Sequence, residues 1–100
     1  MQVGSFTIWG KAQDVTSLTE GAWLVSTASH GGIKLDRARN AMVPKAARCK
    51  GGWYEEDCNI AIPAAIFPEI RDALKVEEST ITDCLKRWQS PAALAALGVV

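Results

Sequence analysis

The chain contains one histidine, His30, and this scarcity removes every metal site that needs two or more imidazoles. Cysteine is sparse and odd in number: Cys49, Cys58 and Cys84 cannot all pair within one chain. Met1–Phe6 shows no basic lead followed by a long apolar segment. Together these features favour reduced thiols in a cytoplasm over a disulfide scaffold. No apolar run approaches the roughly 20 residues of a membrane span, so a membrane partner is not expected. Neither Gly31-Gly32 nor Gly51-Gly52 belongs to a nucleotide-binding fingerprint. No internal repeat or low-complexity linker interrupts the chain, and 100 residues fit a single domain, 1–100.

What is present is an ordinary globular balance, 48% hydrophobic and 22% charged residues, which argues against intrinsic disorder. Eleven bases and eleven acids cancel, but they are unevenly placed. Lys34 to Lys50 holds six bases against the single acid Asp36, leaving that segment at +5 and the remainder at −5. A basic face and one or more acidic faces follow, a footprint for phosphate or for an acidic protein surface. The plainer alternative is a solvated helical surface.

The pattern predicts an α+β fold, strand-rich over about 1–35 and helical over about 36–98. Ser5–Trp9, Ala22–Ala28 and Gly32–Leu35 read as three strands of a small antiparallel sheet packed by C-terminal helices. Ser29-His30-Gly31-Gly32 reads as a hairpin connection whose turn is made by the glycines. Asp36 is placed to cap a helix over Arg37–Met42, which Pro44 stops. After Gly51-Gly52, the acids Glu55, Glu56 and Asp57 suit the first turn of a helix, facing the positive end of its dipole. Cys58, Ile62, Ile66, Ile70 and Leu74 recur at four-residue spacing, with a kink or restart expected near Pro63 and Pro68. Thr80 and Asp83 have capping-box spacing ahead of the amphipathic row Ile81, Cys84, Leu85 and Trp88. Ser90-Pro91 starts a last helix, which Gly98 ends.

His30 on a glycine-flanked turn is placed to act as a base or donor near neutral pH, or to bond a neighbouring strand. Adjacent helical acids diverge, so at most two of Glu55, Glu56 and Asp57 converge, and no metal or other cofactor is expected. Cys58 and Cys84 read as small core residues, whereas Cys49 between Arg48 and Lys50 is the thiol whose neighbours could lower its pKa. Trp23 and Trp88 fit inward faces. Trp53-Tyr54 reads as a partly exposed interface anchor or as a staple packing the hinge onto the sheet. The apolar tail Ala92–Val100, with Leu94, Leu97, Val99 and Val100 needing cover, is a candidate dimer surface.

Taken in order, Ser29-His30-Gly31-Gly32-Ile33-Lys34-Leu35-Asp36, Arg39-Asn40, Gly51-Gly52-Trp53-Tyr54-Glu55-Glu56-Asp57-Cys58 and Phe67-Pro68-Glu69 resemble an uncharacterised domain family of bacterial plasmid and phage proteins. The resemblance spans roughly residues 20 to 90 and departs from the pattern at Pro63. It implies no settled activity. It implies a setting, mobile elements, in which small stand-alone proteins act against host defence, including CRISPR interference and restriction.

The leading expectation is therefore a non-enzymatic, anti-CRISPR-like inhibitor in the cytoplasm of a bacterial host cell. Its expected partner is a defence protein or ribonucleoprotein complex, with direct nucleic-acid contact through segment 34–50 as a further option. Arg37, Arg39, Lys45 and Arg48 would meet an acidic surface or a nucleic-acid backbone. Trp53 and Tyr54 would anchor the contact, and Glu55, Glu56 and Asp57 would imitate phosphate. The alternatives are an enzyme using His30 as general base with Glu55 or Asp57 as its orienting partner, and a structural homodimerisation module.

Overall fold

Thr7 folds the first residues locally: its Oγ1 accepts from the Trp9 amide at 3.0 Å and donates to the Gly10 carbonyl at 2.7 Å. The result is a short ribbon of β1 (Phe6–Thr7) and β2 (Gly10–Lys11), with Ile8 and Trp9 at its tip. The expected strand Ser5–Trp9 is thus bent in two. Gly10 adopts φ +119°, a conformation open to glycine, and lets the chain reverse there. The computed structural model describes residues 1–99; Val100 lies outside the described residues.

A four-stranded antiparallel sheet follows in the order β3 (Asp14–Thr19), β4 (Ala22–Ser26), β5 (Gly31–Leu35), β6 (Trp53–Glu55). The protein is α+β, as its periodicities predict, with the sheet wider than the expected three strands. Two members differ from expectation. Asp14–Thr19 supplies an edge strand, and Trp53–Glu55 supplies a strand where a helix start was expected. Between β5 and β6 the chain makes α1 (Arg37–Met42) and two 3₁₀ turns, Lys45–Ala47 and Lys50–Gly52. Asp36 caps α1 by accepting from the Arg39 amide at 2.8 Å.

Gly31 and Gly32 lie inside β5, so the turn between β4 and β5 is made by Thr27–His30, and the expectation that the glycines form it is overturned. Their role is close approach. A Cβ on Gly32 would overlap the Tyr54 carbonyl oxygen and stand 2.7 Å from the Trp9 ring, and one on Gly31 would stand 2.7 Å from the Val25 carbonyl.

Helices α2 (Ala61–Ile66), α3 (Pro68–Leu74), α4 (Glu78–Trp88) and α5 (Pro91–Ala96) complete the chain. The restart expected at Pro68 occurs, with this proline opening α3. Pro63 sits in the first turn of α2, where amides have no intrahelical partner to lose, so it neither kinks nor breaks the helix. The Thr80–Asp83 capping box does not form, because α4 begins two residues before Thr80, with Glu77 as N-cap and Glu78 in the first turn. Ser90 does cap α5, accepting from the Ala93 amide at 3.1 Å. Gly98 follows at φ +74°.

Strand alternation divides the sheet into two faces. The rows Ala22–Leu35 and Leu24–Ile33–Tyr54 point to the helices and join Val43, Ile62, Phe67, Ile70, Ile81 and Leu85 in the core. The rows Ser17–Trp23–Lys34–Trp53 and Val15–Val25–Gly32–Glu55 point the other way. On that side Val25 and Ala12 are buried apart from the core, with Trp9 of the ribbon lying over Gly32. Leu94, Leu97 and Val99 pack against the chain's own core, so these three do not form the open apolar surface expected of the tail. Among the described residues, no helix is long and apolar enough to cross a membrane.

Candidate functional site

Tyr54 is fully buried at the end of a polar network, which corrects the expectation that it is partly exposed. As the middle residue of β6 it alternates inward. Its hydroxyl donates to Asn40 Oδ1 at 2.5 Å and accepts from the Cys49 amide at 3.2 Å. Asn40 Nδ2 in turn donates to the Cys49 carbonyl at 3.1 Å. Burial pushes the phenol up to about 12 and raises the Cys49 thiol as well. Cys49 is therefore not the activated thiol its basic neighbours suggested. Arg48 turns its guanidinium instead to the carbonyls of Val43 and Ala41, at 2.8 and 3.1 Å.

The basic segment divides by function. Arg39 is committed to the fold: it binds Glu69 at 2.5 Å, donates to the Glu20 carbonyl at 2.6 Å and lies 4.9 Å from the Phe67 ring centre. The bond from Arg39 holds the exposed Glu69 carboxyl below its ordinary range. Lys34 bonds the Gly51 carbonyl and rests 4.6 Å from the centre of the Trp53 ring. Trp53 also meets Trp9 edge to face, centres 5.4 Å apart. Arg37, Lys45 and Lys50 are exposed and, among the described residues, bond no side chain or backbone group through their own side chains.

The acids are arranged differently from the expected helix start. Glu55 ends β6 opposite Gly32, and the Glu56 amide donates to the Gly31 carbonyl at 2.9 Å. The chain then coils around the Glu55 carbonyl, which accepts from Cys58, Asn59 and Ile60 at 3.3, 2.8 and 3.0 Å. In this turn, ligand oxygens of Glu55, Glu56 and Asp57 all come within 4.8 Å of one another. The expectation that at most two converge is overturned, because it rested on helical geometry that this segment does not adopt. The spacing suits a hard divalent cation bridged by carboxylates, and equally a guanidinium or ammonium from a partner. Glu56 and Asp57 are exposed and Glu55 is half-buried. A hydrogen bond with Glu55 raises the Cys58 thiol, and Gln89 ties the turn to the end of α4 through Cys58 O and Asn59 Oδ1, each at 3.0 Å.

Sharing a cavity with Asp57 is Trp88, an aromatic expected to face inward. Trp88 is 52% exposed, because the last turn of α4 runs past the core that buries Ile81 and Leu85. A shallow cavity of about 310 Å³ joins Asp57, Thr80, Asp83, Cys84, Arg87 and Trp88. The available signal was position, since Trp88 lies in the final turn of its helix, where an apolar row can outrun its cover. His30 is also exposed, held by its backbone to Thr27 through bonds of 2.7 to 3.2 Å. It does not join the group formed by the three acids.

Residues 2–98 match the family described as Domain of unknown function (DUF7007). The chain belongs to this family. The resemblance to an uncharacterised domain family thus holds for nearly the whole chain, wider than the roughly 20 to 90 expected. No curated protein and no solved structure matches it.

Proposed function

We propose that this DUF7007 chain is a non-catalytic binding protein that attaches to a bacterial host defence complex and inhibits it, in the manner of an anti-CRISPR protein. The observation that carries this reading is the convergence of Glu55, Glu56 and Asp57 within 4.8 Å, with Asp57 lining the same cavity as the exposed Trp88. Clustered carboxylates present concentrated negative charge, as a phosphate group does, and basic residues lining a nucleic-acid channel would receive them. An exposed tryptophan next to charge is a typical interface anchor. The resemblance to plasmid and phage domains supplies the setting, the cytoplasm of a bacterial host.

Against this, the enzyme alternative has little to build on. His30 has no side-chain hydrogen bond among the described residues, and a general base needs an orienting partner within reach. The basic contribution to binding falls to Arg37, Lys45 and Lys50, since Arg39 and Arg48 hold the fold together.

The test is plating of phage, and transformation by targeted plasmid, in strains carrying CRISPR interference or restriction. Expression of the parent should raise survival by orders of magnitude in one such strain. Glu56→Lys with Asp57→Lys, or Trp88→Ala, should abolish that gain while the purified variants keep the parent's melting temperature. Survival unchanged by these substitutions would place the contact elsewhere. Loss of protection in His30→Ala alone would favour the enzyme.

A further inference from the structure

The helix-free face of the sheet combines features that the acidic turn does not use. Ser17, Trp23, Lys34 and Trp53 stand in one cross-strand row, and side chains directly opposite on adjacent strands share a face. Strands are about 4.8 Å apart, so the indoles of Trp23 and Trp53 are rooted about 10 Å from each other with Lys34 between them. Trp23 and Trp53 are half-buried and take no part in the hydrophobic core, so Trp23 does not turn inward as expected.

The Trp53 end of the row opens into a cavity of about 270 Å³ lined by Lys34, Leu35, Asp36, Arg37, Asn40 and Gly51. Lys50 precedes Gly51 and is exposed. Two cations, Lys34 and Arg37, thus line the cavity where the row meets the +5 segment. Desolvation lowers the Lys34 ammonium from its ordinary value, with Asp36 opposing that shift. An anionic oxygen brought to this partly dehydrated cation would be bound more strongly than in open water. Trp53 is already fixed by Trp9 and Lys34, which leaves Trp23 as the less constrained ring. Glu55 lies on the same face one row away, so a polyanion must leave the sheet on the Arg37 side.

We propose that this face binds single-stranded nucleic acid, with Trp23 as the platform for a base and Lys34 and Arg37 as contacts to phosphate. Stacking needs only a π-face, so base identity should matter little, and a duplex should be disfavoured because its bases are already stacked. The proposal concerns the purified chain alone and stands independently of any defence complex.

The experiment is a titration of the intact protein with dT12, rU12, a 12-base-pair duplex and heparin, read by intrinsic tryptophan fluorescence and repeated over a range of salt. One or both single strands should quench the signal and bind at least about fivefold tighter than the duplex. The two arms identify the sugar. With two phosphate contacts, the slope of log K against log salt should be about −1.4, falling to about −0.7 in Arg37→Glu. Trp23→Ala should weaken binding about fivefold or more, and if that variant fails to fold, Arg37→Glu decides the matter alone. The proposal is overturned by absent quenching at low salt, by equal binding of duplex or heparin, or by undiminished binding in a folded variant.

Discussion

The helix-covered and helix-free faces of the four-stranded sheet come from the same strands, one residue out of phase. On the covered face, Ala22, Ile33, Leu35 and Tyr54 are fully buried and share a core with the helices. On the free face, Trp23, Lys34 and Trp53 are half-buried, and Val25 and Gly32 are buried apart from that core. Alternation placed both sets, but only cover by the helices turned one of them into core. Stability is concentrated on the covered side, which leaves the other side free to hold charge beside aromatic rings.

The largest expected contrast lies between Ile33→Ala and Trp23→Ala. Ile33 is fully enclosed, and its truncation should cost about 2–5 kcal/mol through lost transfer energy and a residual cavity. Trp23 is the larger side chain but is half-buried outside the core, and its truncation should cost less, about 1–2 kcal/mol. Urea unfolding of both variants measures the gap, and equal losses would erase the distinction between the faces.

Gly32→Ala probes the seam joining the two faces. Its new methyl would overlap the Tyr54 carbonyl oxygen and press on the Trp9 ring, forcing β5 and β6 apart. A destabilisation of about 1–3 kcal/mol or more is expected, with a change in the fluorescence of the Trp9–Trp53 pair. Unchanged stability would mean that the strands approach less closely than described.

Tyr54→Phe should have a smaller effect, about 1–3 kcal/mol, by leaving Asn40 Oδ1 and the Cys49 amide without their partner. It should also change the alkaline limb. The folded-state phenol is raised to about 12 from 10, so its contribution is complete below pH 10 and is lost as pH climbs towards 12. Stability of the parent should therefore fall across that window more steeply than stability of the Phe variant. The raised Cys58 and Cys84 thiols titrate in both proteins and do not account for the difference.

Local signals were legible in the sequence where one residue suffices to impose them. Asp36 and Ser90 cap the helices they were expected to cap, and Pro44 and Pro68 mark a stop and a start. Misread segments depend on partners distant in the chain. Asp14–Thr19 is a strand because Ala22–Ser26 pairs with it, although its own alternation is weak and mostly polar. Trp53–Glu55 became a strand only because Gly31-Gly32 lets another backbone come close. Reading those glycines as a turn hid the strand, and the missing strand made the acids look helical. The acids were singled out as contact residues from their run in the sequence, whereas their convergence and the exposure of Trp88 depended on that unseen pairing.

Inhibition by binding is tested most sharply by affinity capture of the tagged protein from bacterial lysates carrying defined defence systems, read by mass spectrometry. A Glu56→Lys, Asp57→Lys version is run beside the parent. The parent should retain one nucleic-acid-handling defence complex, and the equally stable variant should not. Retention of that complex by both would contradict the acidic turn as the contact, and capture of no defence complex by either would contradict the inhibitor reading itself.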